Sequence, residues 1–408
     1  MIQLIDKSQC CGCNACVQIC PKQCIQMQED CEGFLYPLVD DDMCVDCKLC
    51  EKVCPVINPN EPRRPLKVYA AMHPDEDIRL NSSSGGVFTL LAEQVIAEGG
   101  VVFGARFDES WQVVHDYTET VEGLAAFRGS KYVQSVIGNT YKSAQDFLKH
   151  GRKVMFTGTP CQIVGLKKFL RKDYPNLFTV DFVCHGVPSP LVWRKYLKET
   201  AEDIRAKRAV GKNTVTSSLS DLPVITGISF RDKTNGWKKY GFILRYTASK
   251  AVENTVSFSA ITEEGLFLEP FTENHFMRAF LADHILRPSC YACPSKSGKS
   301  SSDVTIGDLW GVDRFNPSID DDKGLSLVML HNDNASAILA KCNLEDVDYL
   351  SAFNSNLSIE RSVSIPVNRT YFWHLLHKGK SVGDILEMCH SSKAVARLRR
   401  FVYRKLKV

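Results

Sequence analysis

The sequence predicts a chain of mixed class, α+β followed by α/β: a small cysteine-rich module, then a larger mixed-sheet α/β domain. Three observations predict this. Two copies of one twelve-residue cysteine pattern stand within the first 55 residues, and a proline-rich stretch follows them. Beyond that stretch, apolar runs of strand length alternate with amphipathic helical patterns.

The pattern in the first module is C-x2-C-x2-C-x3-C-P. It is formed by Cys10, Cys13, Cys16 and Cys20 before Pro21, and again by Cys44, Cys47, Cys50 and Cys54 before Pro55. Three cysteines so closely spaced wrap three corners of a cubane iron–sulfur cluster, and the fourth is carried by its turn to the other cube. Cys10, Cys13, Cys16 and Cys54 are therefore assigned to one 4Fe–4S cluster, and Cys44, Cys47, Cys50 and Cys20 to a second. Zinc, the alternative for such thiols, usually takes paired C-x2-C halves. The chain is thus read as one that moves electrons. Residues 1–57 form a dicluster module with hairpin pieces such as Gly33–Val39, held by its clusters because so small a unit buries little apolar surface. Cys11, Cys24 and Cys31 fall outside the repeat, and Cys11 and Cys24 are read as packing thiols.

With 408 residues the chain has room for two or three domains, and 44% apolar with 24% charged residues is a globular composition. A formal charge of +3 argues against a nucleic-acid partner. Residues 1–60 carry nine Asp and Glu against four Lys, whereas the last sixteen carry seven Lys and Arg and no acid. The start, MIQLIDKSQC, has neither the basic nor the apolar region of a signal peptide, and no run of about eighteen apolar residues suggests a membrane span. Seventeen cysteines without an export signal point to metal binding in a reducing cytoplasm rather than to disulfides.

Residues 58–66 (NPNEPRRPL) read as a stiff linker and a domain boundary. The main domain is expected over 67–332. Val68–Met72 is its first strand. Val87, Leu90, Leu91 and Val95 then mark a helix face, with serine caps before it and Gly99-Gly100 after it. Val101–Phe107 and Gln112–Tyr117 pair as strands, Thr140–Lys149 is a helix, and Lys153–Thr157 a strand. Gly158-Thr159-Pro160-Cys161 opens a further helix, with Pro160 suited to its first turn. Phe178–Cys184 is a strand and Pro190–Ile204 a helix. Residues 205–223 read as a polar loop, and Ile228–Arg231 with Tyr240–Tyr246 as a hairpin around Asn235-Gly236. Glu273–Ile285 is a helix with Phe276, Phe280 and Leu281 inward. Asp303–Asp308 and Leu325–His331 complete the sheet, and 333–408 is expected to be helical with a basic end.

A second cysteine set lies in this domain. Cys161 and Cys184 each follow a strand, and Cys290 with Cys293 forms a C-x2-C before Pro294. Strand ends in an α/β sheet converge on one rim, where four thiols would suit a third 4Fe–4S cluster. Spacing leaves equally open that Cys161 and Cys184 are buried small hydrophobes while Cys290 and Cys293 bind zinc or have a redox role.

Six ordered motifs bear on this choice: SSSGG (82–86), FRGSKYVQS (127–135), FTGTPCQIVGLKKFL (156–170), CHGVPSP (184–190), LRPSCYACP (286–294) and IGDLWG (306–311). Together they resemble the coenzyme F420 hydrogenase/dehydrogenase beta-subunit family over about residues 68–330, with the dicluster ferredoxin module as a companion. The resemblance implies a mixed-sheet α/β flavin-binding domain with FAD beside a 4Fe–4S cluster, and it implies Cys161, Cys184, Cys290 and Cys293 as that cluster's ligands.

No G-x-G-x-x-G fingerprint is present, so a dinucleotide site here is not of the Rossmann type. The turn containing Ser83, Ser84, Gly85 and Gly86 offers hydroxyls and N–H groups at a helix start, which suits either a pyrophosphate or an ordinary helix cap. Arg128 and Lys131 are candidates for a phosphate or the reduced flavin ring, or are solvated charges. The Gly158, Thr159, Pro160 backbone is placed to touch the isoalloxazine, and His185 is the candidate proton donor. Ser297-Gly298-Lys299-Ser300 is not a P-loop, since Cys293 stands where its first glycine belongs, and no C-x3-C-x2-C supports radical chemistry on S-adenosylmethionine.

The expected function is therefore that of an iron–sulfur flavoprotein oxidoreductase. It passes electrons between a reduced ferredoxin or another redox protein and a small two-electron substrate, a deazaflavin or a precursor in a polysaccharide-type pathway. The alternative is a non-catalytic electron-transfer subunit of a larger redox complex. Val395, Leu398, Val402 and Leu406 lie on one helical side of the basic tail Lys393–Val408, which suggests either peripheral contact with an anionic surface or a solvated helix.

Overall fold

The computed structural model describes residues 1–209, 222–252, 259–314 and 316–390, so the basic tail and most of the loop expected at 205–223 lie outside it. The chain forms two compact units. The first contains Met1–Ser189, Gly236–Lys238 and Leu286–Ser364; the second contains Pro190–Asn235, Lys239–Ile285 and the chain from Ile365. The stretch 67–332 drawn as one domain is thus shared between both units, and the dicluster module belongs to the first.

The module consists of α1 (Ala15–Ile19), an antiparallel hairpin of β1 (Ile25–Glu29) and β2 (Leu35–Val39), and α2 (Leu49–Lys52). The first unit continues with β3 (Lys67–Met72), α3 (Glu76–Leu80), α4 (Val87–Ala97), β4 (Val101–Phe107), β5 (Val113–Thr118), α5 (Thr140–Lys149), β6 (Val154–Gly158), α6 (Pro160–Leu170) and β7 (Leu177–Phe182). The second unit supplies α7 (Pro190–Ala209), β8 (Val224–Asp232), β9 (Gly241–Val252), β10 (Ser259–Pro270) and α8 (His275–Leu281). The first unit then resumes with β11 (Val304–Asp308), β12 (Ser326–Leu330), α9 (Ser336–Leu339), β13 (Asn343–Asp346) and α10 (Tyr349–Ser355). Helices α11 (Arg369–His377) and α12 (Val382–His390) belong to the second.

Eight strands of the first unit make one mixed sheet in the order β13-β3-β12-β11-β7-β6-β4-β5. The central four, β11, β7, β6 and β4, run parallel, and every other pairing is antiparallel. Successive residues of the central strands face opposite sides of the sheet. Val102 and Met155 pack with Leu91 and Val95 of α4, whereas Phe103 and Phe156 pack with Tyr141 of α5 and Ile163 of α6. Cys11, Cys13, Ala15 and Val53 of the module join this second cluster. The module therefore shares the main core, and its clusters are not its sole support.

In the second unit, β8, β9 and β10 form an antiparallel sheet with β9 in the middle. Trp193, Tyr196, Phe230, Phe242 and Phe276 pack as an aromatic core, with Trp193 and Phe276 edge to face at 5.0 Å.

The structure corrects several expectations. No serine caps α4: its N-cap is Gly86, in the left-handed region at φ +89°. Residues 205–209 continue α7 instead of joining a loop. The helix expected over Glu273–Ile285 is only α8, and Leu281 is 43% exposed because the chain turns away after it. Ser259–Pro270, which carries no strand pattern in the sequence, is a long strand. The region after 332, expected to be helical, contains β13, a polar edge strand whose NLED sequence shows no alternation of buried residues. Among the described residues, no helix is long and apolar enough to cross a membrane.

Gly85 is where β3 and β12 come closest to the following turn: an added Cβ would stand 2.3 Å from the Ala71 carbonyl oxygen and 2.7 Å from the Ser326 nitrogen. Both obstacles are backbone. Gly85→Ala is expected to destabilise the protein by about 1–3 kcal/mol, read as a lower thermal transition, with iron content per folded chain unchanged.

Candidate metal centres

Each cysteine run coils the same way. Gly12 (φ +71°) and Asn14 (φ +63°) flank Cys13, and Asp46 (φ +42°) and Lys48 (φ +59°) flank Cys47. Asn14 and Lys48 are also the N-caps of α1 and α2, which carry the third cysteine of each run. A left-handed residue on either side of the middle cysteine turns the chain back on itself, so three thiols face one point.

The fourth cysteine crosses over. Cys16 feels the charges of Cys10 and Cys54, and Cys54 feels that of Cys10. Cys20, Cys44, Cys47 and Cys50 line a separate hollow. Cys24 lines the same hollow, its sulfur 3.4 Å from that of Cys20. Cys31 is exposed.

The second cysteine set also gathers. Cys161 lies in the first turn of α6, Cys184 follows β7, and Cys290 and Cys293 lie at the 3-10 turn Pro288–Ala292. Cys184 feels the charges of Cys290, Cys161 and Cys293, and Cys290 those of Cys293 and Cys161. Burial pushes the Cys16, Cys54 and Cys184 thiols up and that of Cys290 up to about 12. Thiols so placed ionise only against strong positive charge, which coordinated iron provides, so the donor set fits an iron–sulfur group. Among the described residues, no three His, Cys, Asp or Glu side chains stand at single-ion spacing. A cubane holds its thiolates farther apart than a single ion does.

Two residues connect the thiol sets, and sequence patterns flagged neither. Cys11 is 5% exposed and lies close enough to both Cys13 and Cys161 to alter their ionisation, so it stands between the module and the second set. Arg287 is fully buried. It donates Nε to the Cys10 carbonyl at 2.7 Å, Nη2 to the Leu35 carbonyl at 2.9 Å and Nη1 to Gln134 Oε1 at 2.8 Å. Its guanidinium also lies 4.2 Å from the Tyr36 ring centroid. Gln134 in turn donates to the Cys11 carbonyl at 3.1 Å. Neither role is visible in spacing, because both depend on segments far apart in sequence.

The residues considered for a flavin lie on the same rim, past the ends of the parallel strands. The Ser83 hydroxyl accepts from Ser130 N–H at 2.7 Å, Ser84 donates to the Leu325 carbonyl at 2.8 Å, and Gly85 N–H donates to Ser326 at 2.9 Å. These three groups bond neighbouring segments of the fold. Arg128 donates to Thr89 Oγ1 at 3.1 Å. Lys131 donates to the carbonyls of Arg128 and Gly129 at 3.0 and 3.2 Å, and burial lowers its pKa to about 7. Gly158, Thr159 and Pro160 join β6 to α6, with Thr159 N–H donating to Gln162 at 2.9 Å. His185 is half-buried beside Cys184.

All six motifs interlock. Besides the contacts above, Gln162 donates to Ser135 at 2.9 Å and Gln134 N–H to the Pro188 carbonyl at 3.0 Å. Trp310 stacks on Trp237 with ring centroids 4.3 Å apart, and Trp237 donates its indole N–H to the Ser83 carbonyl at 3.1 Å.

The family described as coenzyme F420 hydrogenase/dehydrogenase, beta subunit, matches in two parts: its C-terminal part over residues 151–354 and its N-terminal part over residues 68–140. A 4Fe-4S dicluster domain matches residues 9–58. No curated protein matches the chain. Among solved structures, a chain from the xenon-derivatized F420-reducing NiFe hydrogenase complex of Methanosarcina barkeri is 18% identical. That match covers 72% of this chain and 89% of the other, with a TM-score of 0.43.

Replacing Arg287 by Met would strand the Cys10 and Leu35 carbonyls, at about 1–3 kcal/mol for each buried acceptor left unpaired. Arg287→Met is expected to lower the thermal transition and to speed protease cleavage within residues 1–57. Arg287→Lys is not expected to rescue either property, because an ammonium cannot reproduce the three-way fork.

Proposed function

The chain belongs to the coenzyme F420 hydrogenase/dehydrogenase beta-subunit family, and on that premise we propose that it is a flavin-dependent iron–sulfur oxidoreductase. The 4Fe–4S dicluster module makes it an electron-transfer protein of the oxidoreductase type. In the proposed reading, electrons enter at that module from a reduced ferredoxin or another redox protein and reach a small two-electron substrate of the deazaflavin class.

The observation that carries this reading is the meeting of Cys161, Cys184, Cys290 and Cys293 at the sheet rim, with Cys11 joining them to Cys13. Three thiol sets then form a continuous series. Cys10, Cys13, Cys16 and Cys54 hold one 4Fe–4S group in this reading; Cys20, Cys44, Cys47 and Cys50 hold the second; the rim set holds the third. A flavin, when bound, exchanges single electrons for the pairs that a hydride substrate needs. Family membership is what supports the flavin in this reading. His185, half-buried next to Cys184, is the group proposed to exchange a proton with the substrate.

Anaerobic purification with cofactor counting tests the reading. About twelve irons and one FAD per chain are expected, and about eight irons without flavin would overturn it. Cys290→Ser is expected to remove about four irons while leaving the dicluster signal intact. Turnover of a deazaflavin by the isolated protein with reduced viologen is the expected activity. Failure to turn over, together with stable co-purification with a larger subunit, would assign the chain an electron-transfer role alone.

A further inference from the structure

Resting on the reading of the rim thiols as a third iron–sulfur site, we propose that two buried cations, Arg287 and Lys296, give this site the highest reduction potential of the three, so that electrons run inward from the outer thiols.

Lys296 is 8% exposed. Its ammonium donates to the Cys184 carbonyl and, at 2.7 Å, to the Ser358 carbonyl. These acceptors are neutral, so they orient the charge without cancelling it. Its field reaches Cys184 and Cys293, and that of Arg287 reaches Cys161 and Cys290. Each half of the rim set therefore has its own cation. The Asp181 carboxyl lines the same hollow as Lys296 and Cys184. It is engaged by Thr305 and faces Arg63, so it opposes Lys296 only weakly.

The other two sets are treated differently. Arg287 also acts on Cys10, so the inner set of the module feels one of the two cations. Cys20 and Cys44 of the outer set are half-buried, as the four rim cysteines are, but Cys47 is exposed and the cations at the rim are buried, so water screens charge more at the outer set. The adjoining loop carries Asp40, Asp41 and Asp42; Asp46 is paired with the Met1 ammonium at 2.6 Å, and the cations that line this hollow besides it, Lys22 and Lys48, are exposed and screened.

Reduction adds negative charge to a group already carrying four thiolates. A positive charge fixed in a poorly screened interior favours the reduced form, and net charge and exposure are among the terms that set cluster potentials. The arrangement ranks the potentials as outer set lowest, inner set next and rim set highest. Lys296 touches no reacting atom and acts as a positioning and tuning residue.

The test is a redox titration of the anaerobically purified holoprotein followed by electron paramagnetic resonance, with Cys290→Ser identifying the rim signal by its loss. The rim site is expected to have the highest midpoint in the unmodified protein. Lys296→Gln is expected to lower that midpoint and leave the other two in place, while Lys296→Arg keeps all three. An unmoved rim midpoint in an iron-replete Lys296→Gln protein would overturn the proposal. So would a rim midpoint below the others in the unmodified protein, a comparison that needs no substitution at Lys296. A count of about eight irons removes the underlying reading and this inference with it, and the iron assay separates that failure from a failure of tuning.

Discussion

One buried guanidinium holds the redox half of the molecule together. Arg287 comes from the segment just before the Cys290–Cys293 pair, yet its hydrogen bonds go to the Cys10 loop, to the β1–β2 hairpin and to Gln134. A charge without solvent access is tolerated only where its donors are satisfied and anionic groups lie near. Here two backbone carbonyls and the Gln134 side-chain oxygen satisfy the fork, and the surrounding thiols would supply the anions if they hold metal. The same residue thus fixes the position of the module and sets the electrostatics between two thiol sets.

The polypeptide between 58 and 66 follows the same logic. Its prolines suggest a spacer, but Arg63 N–H donates to the Ser297 carbonyl at 3.0 Å and its guanidinium to the carbonyls of Gly298 and Ser302. Asn60 donates to the Lys299 carbonyl at 2.9 Å. The linker is laid along the segment after Pro294 rather than swinging free. Side chains from the start of the chain therefore brace the loop next to Cys293, and an electron route through these thiols would cross a packed interior instead of a flexible joint.

The six motifs acquire a physical reason in the fold. Small residues at 82–86 let a turn press on β3 and β12; Gln134 and Ser135 join the strand-end loops; Trp310 stacks on Trp237. They are one hydrogen-bonded rim read from six places in the chain. A rim built from irregular loops must satisfy its own backbone groups, and the Gly85 N–H bond to Ser326 is one instance.

Local chemistry was legible in the residues alone. Thiol spacing announced the two N-terminal groups, and alternation of apolar runs announced the central strands and α4 through α6, because both signals are complete within a dozen residues. β13 and β10 were not legible, since an edge strand and a long strand of a separate sheet need no strong local pattern. Likewise, nothing near Cys11 or Lys296 distinguishes them from a packing thiol and a surface lysine. Their decisive neighbours come from segments far away in sequence, so only the folded chain brings Cys11 to Cys161 and Lys296 to Cys184. The expectation for the eight repeated N-terminal cysteines follows from spacing that the chain carries with it. The field around those ligands is a long-range sum, and only tertiary structure sets it.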